Sequence, residues 1–294
     1  MVVAVLKDGP VIWVFYDGGM ITFGMTEIET RMEISEACMT PAEVWWSSAS
    51  AVYRLVKGTG EWNEITNDRC EVIALLYDGT AMIRVLENGT VVWFSSSGDH
   101  TTKVLPDQSI VAATLLSVNG ESTLITVDRS GRFTVWWKKC PQASCQLPIT
   151  LLCTPSNLGF MTPPYISAVC ACYAHERSFV AFGSANGAVG WLEVVMGWAG
   201  KKRVFVIKRH PTWLDTQSLK NSMVTFLGQT GTTLLVGAAR QGMYYFDWSH
   251  GVSPHVTRLD PLPDVNDCVV AHDKLLIGTT DGIKISTFAL QPSE

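Results

Sequence analysis

At 294 residues the chain is long enough for one large domain or two ordinary ones. It is 47% hydrophobic and only 17% charged, with eleven tryptophans, which suits an extensive core and excludes a disordered chain. A net charge of −5 supplies no overall basic field, so a general nucleic-acid binder, which must displace counterions from phosphates, is disfavoured.

The first ten residues have no basic stretch ahead of their apolar run and reach Lys7-Asp8-Gly9-Pro10 almost at once, so no secretory leader is expected. No uncharged apolar run approaches the roughly 20 residues that span a bilayer; Val189 to Trp198 is interrupted by Glu193. Cys38, Cys70, Cys140, Cys145, Cys153, Cys170, Cys172 and Cys268 are scattered along the chain. That usage fits reduced thiols, and the expectation is an intracellular chain, cytoplasmic or nuclear.

One pattern then recurs in chain order: a short apolar strand, a turn usually ending in glycine, and a second strand with aromatics near its end. It begins with Val2 to Asp8, Gly9 and Val11 to Phe15, and returns as Glu43 to Ser47 followed by Ala51 to Leu55. Ala81 to Leu86 turns at Gly89 into Thr90 to Phe94, and Thr123 to Asp128 turns at Gly131 into Arg132 to Trp137. Ser178 to Ser184 turns at Gly187, Thr233 to Ala238 at Gly242, and Lys274 to Thr279 at Gly282. Glycine suits such turns because a tight hairpin needs positive φ. Most copies are spaced by about 40 residues, the period of a four-stranded propeller blade. The prediction is all-β: a single β-propeller domain over residues 1–294, most simply of seven four-stranded blades.

Two steps are longer by some fifteen residues and predict loop insertions near 138–165, where prolines argue against ladder pairing, and near 196–222. In the seven-blade register the first blade starts at its second strand and the last ends at its third. One inner and one outer strand are then missing at the seam, and a partner protein donating a strand there is expected. A competing register takes Val2 to Lys7, Val11 to Tyr16 and Ile21 to Met25 as three successive strands. It completes the first blade and allows a count of six.

Thr123-Leu-Ile-Thr-Val-Asp-Arg-Ser-Gly-Arg-Phe-Thr-Val-Trp136 resembles the strand-turn-strand segment of WD40 repeats, and Lys274 to Ile285 is similar to the core of that segment. The family's Trp-Asp ending is replaced by Trp136-Trp137 and Trp248-Ser249, and its Gly-His opening is absent. The resemblance implies a propeller that docks other protein subunits. Its narrow face would hold the turns, which makes Asp8, Asn88, Arg129, Asn186, Arg240, Gln241 and Asp281 the candidate partner-binding residues.

Other constellations are weaker. Trp13, Trp93, Trp136, Trp191 and Trp248 suit wedges between blades better than a stacking surface. Lys201, Lys202, Arg203, Lys208 and Arg209 read as an outer strand with charged ends, the alternative being contact with RNA or an acidic partner. The cysteines lack paired zinc spacing, so no metal is expected. Asp128, His175, Asp267, His272 and Asp273 match no catalytic motif, although a propeller hydrolase with a channel site is a further alternative. No cofactor and no catalytic residue is assigned, and the leading expectation is a non-catalytic scaffold.

Overall fold

Twenty-eight β-strands and no α-helix make up the described part of the computed structural model. The described residues are 1–49, 51–67, 70–95, 100–106, 108–147, 165–174, 176–200, 202–208, 212–214, 219, 222–247, 255–260, 264–271 and 274–286. The strands form seven antiparallel meander sheets, the blades of a seven-bladed β-propeller.

The chain divides into two units. The first contains Met1–Gln108 and Val265–Ala289, the second Ser109–Asp264. Four sheets belong to the first unit. They are β1 (Val2–Asp8), β2 (Val11–Tyr16), β3 (Met20–Phe23) and β4 (Thr26–Glu29); β5 (Glu36–Met39), β6 (Glu43–Ser47), β7 (Ala51–Val56) and β8 (Trp62–Asn67); β9 (Val72–Tyr77), β10 (Ala81–Leu86), β11 (Thr90–Ser95) and β12 (His100–Val104); and, at the other end of the sequence, β26 (Val265–Ala271), β27 (Lys274–Thr279) and β28 (Gly282–Ser286).

Three sheets belong to the second unit. They are β13 (Ile110–Val118), β14 (Glu121–Asp128), β15 (Arg132–Trp137) and β16 (Cys140–Gln146); β17 (Ile166–Ala174), β18 (Arg177–Ser184), β19 (Val189–Ala199), β20 (Lys202–Ile207) and the short β21 (Thr212–Trp213), which pairs with β19; and β22 (Val224–Thr230), β23 (Thr233–Ala238), β24 (Gly242–Asp247) and β25 (His255–Asp260).

Strand residues alternate between the two sheet faces, and a sheet packed against neighbours within its unit turns apolar side chains toward them. In the first unit Val2, Val5 and Val14 pack on Val269, Leu276 and Ile283 of the last sheet. The opposite face of the first sheet, with Trp13, Phe15 and Ile21, packs on Val44, Trp46 and Tyr53 of the second. Trp45 and Val52 of the second sheet meet Leu75, Met82 and Leu86 of the third. In the second unit Phe133, Val135 and Leu147 interlock with Val180, Phe182 and Phe205, while Ala181 and Val189 meet Val224, Val236 and Phe246. Each large side chain buried this way contributes about 1.5–3 kcal/mol of transfer free energy.

Trp13, Trp93 and Trp136 are buried, as wedges between sheets should be, and Trp191 is half-buried against the second core. Trp248 lies outside the described residues.

Three expectations need correction. First, the turn at Gly9 joins first to second strand, whereas those at Gly89, Gly131, Gly187, Gly242 and Gly282 join second to third. The turn of that kind in the first sheet is at Gly18-Gly19, so the first blade is complete, as the competing register had it, and the count is still seven. Second, no inner strand is missing from the first sheet, because β1 supplies it. β1 packs between β5 and β26, and the strand lacking at the seam among the described residues is an outer one, beside β28. Third, not every proline of the first long step stands outside ladder pairing. Pro141 lies within β16, where an outer-edge position and a register shift accommodate a residue without an N–H. The second long step holds the outer part of β19, β20 and β21. Residues 148–164 lie outside the described residues.

Candidate functional site

The turns between second and third strands present polar residues on backbone held by hydrogen bonds. In the first unit Asn88 is exposed and its Oδ1 accepts from Thr90 N at 3.1 Å, while exposed Asp281 donates its N–H to Thr279 Oγ1 at 3.2 Å. In the second unit exposed Arg129 donates its backbone N–H to Ser109 O at 2.8 Å. Exposed Arg240 donates its own to Asp264 Oδ1 at 2.5 Å, and half-buried Gln241 is tied through its N–H to Ala238 O at 3.1 Å.

Two of the candidate residues depart from this group. Asn186 is buried, and its side chain is hydrogen-bonded to Ser184 Oγ, so it shapes the turn from within. Asp8 sits on the first-to-second-strand turn, where Lys57 Nζ, from the turn between β7 and β8, pairs with its Oδ2 at 2.8 Å. That contact puts Asp8 at the opposite end of its sheet from the Gly19 turn. Asp8 looked equivalent because its turn carries the same glycine signal.

The basic segment is an outer strand, as expected, and its described cations are engaged. Arg203 lies 3.6 Å from Glu121 and 5.5 Å from the Trp198 ring, and Lys208 pairs with Glu193. Lys201 and Arg209 lie outside the described residues, as does the side chain of Lys202. Among the candidates for chemistry, His175, His272 and Asp273 are also outside them. Asp128 caps its turn: its Oδ1 accepts from Ser130 N, Ser130 Oγ and Arg132 N at 2.9, 2.6 and 3.0 Å.

Asp267 differs, and it brings with it a residue that sequence reasoning missed. It lies on β26, beside β1, and its carboxylate spans two sheets: Oδ2 accepts from Val5 N at 2.7 Å and Oδ1 from Cys268 N at 2.8 Å. Asn266 Nδ2 adds a bond to Val2 O at 2.9 Å. Glu36, on β5 at the other side of β1, is close enough for its carboxyl to feel the Asp267 charge. Burial, and then that charge, push Glu36 up to about 8. Burial raises Asp267 to about 6 against the pull of its two N–H donors.

The neighbouring thiols respond too: burial lifts Cys38 to about 11, and burial with the Asp267 charge lifts Cys268 further. Lys7 and Asp8 are the titratable side chains of the intervening β1, at its far end. Both carboxyls are thus held above the ordinary carboxylate range, Glu36 the more strongly. With both Asp267 oxygens committed to backbone donors, its work is to clamp the first sheet to the last. Nothing in the sequence near Glu36 signals this, because the pair is separated by most of the chain.

Among the described residues no group of three or more His, Cys, Asp or Glu side chains is placed to hold a metal, and no helix is long and apolar enough to cross a membrane. The described cysteines are free thiols.

No protein-family model matches the sequence, and no curated protein does. Solved structures do match. The WD40 β-propeller domain of Doa1 aligns with 97% of this chain and 91% of its own at 10% identity, with a TM-score of 0.66. A computationally designed protein, Ika8, aligns over 97% and 95% at 15% identity and TM-score 0.60. BamB from Moraxella catarrhalis aligns over 96% and 94% at 13% identity and TM-score 0.60. At these identities the likeness is one of fold, and the fold it shows is the β-propeller.

Proposed function

We propose that the chain is a non-catalytic, WD40-like propeller scaffold, a subunit of an intracellular multiprotein assembly whose partner proteins dock on the turns between second and third strands. The observation that carries this reading is that Asn88, Arg129, Arg240 and Asp281 are exposed on turns whose backbones are already fixed by hydrogen bonds. A partner meeting such turns is spared the ordering entropy that weakens flexible binders. The likeness in fold to the WD40 domain of Doa1 supports it, and the free thiols fit a cytoplasmic or nuclear setting. A partner strand pairing along β28, where Ile285 is 63% exposed, is a second contact within the same reading.

The test is affinity purification of the full chain followed by mass spectrometry, with Arg129→Glu/Arg240→Glu beside the wild type. The expected outcome is a stoichiometric partner that the double variant loses by about tenfold or more while its melting temperature is unchanged. Equal recovery of the partner by a folded double variant would falsify this docking surface.

A further inference from the structure

In the second unit the hairpin of β19 and β20 outruns its sheet. β18 pairs with β19 only as far as Val194, and from there Val195–Ala199 continues with Lys202–Val206 as a two-stranded ribbon. A ribbon without a third strand must lean on a neighbour or meet solvent. Near its base this one leans on the sheet of β13 to β16: Phe205 packs edge-on against Trp137 at 5.7 Å, and Arg203 lies 3.6 Å from Glu121, which accepts from the Trp137 indole at 2.6 Å. Toward the tip the cover ends. Trp198, opposite Arg203 in the ladder, is 68% exposed, with the guanidinium carbon of Arg203 5.5 Å from its ring centroid.

The neighbouring hairpin, β15 to β16, turns through two residues only, Lys138 and Lys139, between the paired Trp137 and Cys140. Both lysines stand at positive φ, +50° and +62°, the conformation of a tight hairpin turn whose usual residues are Asn-Gly. A lysine pair there strains the backbone where Asn-Gly would not, and such local strain persists where the side chains have a use. Lys138 lies over the Trp137 ring at 4.5 Å, and Lys139 is exposed. This turn and the ribbon both join third to fourth strands, so they share one end of adjacent sheets, opposite to Arg129 and Arg240. Among the described side chains at this end, Arg177, Arg203 and Lys208 match Glu121, Glu176 and Glu193 in number, and the surplus charge is that of Lys138 and Lys139.

An exposed indole on a projecting tip beside surplus lysines fits one kind of surface. Tryptophan, apolar in body with a single N–H, favours the boundary between lipid headgroups and acyl chains. Lysine is a compact charge on a flexible stem, suited to a diffuse layer of anions, and each such cation near an anionic membrane strengthens binding about fivefold. A single-stranded nucleic acid would instead stack on successive open rings, whereas the rings next to Trp198, those of Trp137 and Phe205, are turned onto each other. We propose that this end of the two sheets docks on an anionic lipid bilayer, with Trp198 entering the headgroup layer and Lys138 and Lys139 meeting its phosphates and carboxylates.

Flotation of the full chain with vesicles of phosphatidylcholine alone, and of phosphatidylcholine with phosphatidylserine at about three to one, tests it. Binding to the mixed vesicles alone is expected, falling steeply between about 0.1 and 0.5 M salt. Lys138→Asn/Lys139→Gly relaxes the turn while removing its charge; the variant should melt no lower than the wild type yet bind mixed vesicles about 25-fold more weakly. Trp198→Ser, at an exposed position, should leave melting unchanged, weaken binding, and remove the quenching of tryptophan fluorescence that brominated phosphatidylcholine mixed with phosphatidylserine causes in the wild type. Equal flotation with both vesicle types or with neither, unchanged affinity in either folded variant, or capture of an oligouridylate in place of vesicles would overturn the proposal.

Discussion

Gly89 shows how much one residue can decide. Its φ is +82°, a region that L side chains rarely adopt, and a Cβ built there would stand 2.5 Å from the carbonyl oxygen of Leu105. That carbonyl belongs to backbone and cannot swing aside. Gly89→Ala is therefore expected to cost about 2 kcal/mol or more, read as a lowered denaturation midpoint with an unchanged slope.

Glu36 acts through its proton instead. Its folded pKa of about 8, and that of Asp267 near 6, both lie above their ordinary values of 4.5 and 3.8. The folded chain then binds more protons than the unfolded chain between about pH 4 and 8, so stability falls as pH rises through that window. Glu36→Gln stays neutral throughout. Its melting temperature should fall less than the wild type's between pH 5.5 and 8.5, the gain being roughly 2–4 °C for each kcal/mol recovered. Parallel melting curves against pH in the two proteins would show that Glu36 is charged in the fold.

At the scale of the element, the hairpins were legible because positive-φ glycine, apolar strands and terminal aromatics are local signals. Gly89, Gly131, Gly187, Gly242 and Gly282 all sit at φ above +80°, where the sequence placed turns. The phase of the first blade was not legible. Gly9 and Gly19 both adopt positive φ, so two equivalent signals stand ten residues apart, and only the packing of β1 against β26 and β5 decides between them. Pro141 misled for a related reason: a proline forbids an inner strand but not the outer edge, and the sequence does not say which edge is outer. The turn residues of the candidate site followed from the hairpins, whereas the burial of Asn186 and the pairing of Asp8 with Lys57 depend on residues brought in by the fold.

At the scale of the molecule, the first and the last sheets belong to one unit. The first sheet is covered on one face by the last, through Val2, Val5 and Val14 against Val269, Leu276 and Ile283, and is clamped to it by Asp267. Deleting residues 1–7 removes the inner strand of one sheet and the cover of two others. The deletion is expected to abolish cooperative melting and increase binding of a hydrophobic dye; a cooperative transition within a few degrees of the wild type would show that β1 is dispensable.

The same arrangement sets an order for biosynthesis. The unit begun by residues 1–108 is completed by strands that emerge from the ribosome only after the whole of the other unit has been made. Throughout that interval the valine-rich side of the newborn first sheet has no natural cover. A pause in translation anywhere between the first sheet and residue 265 lengthens that exposure by the full duration of the pause.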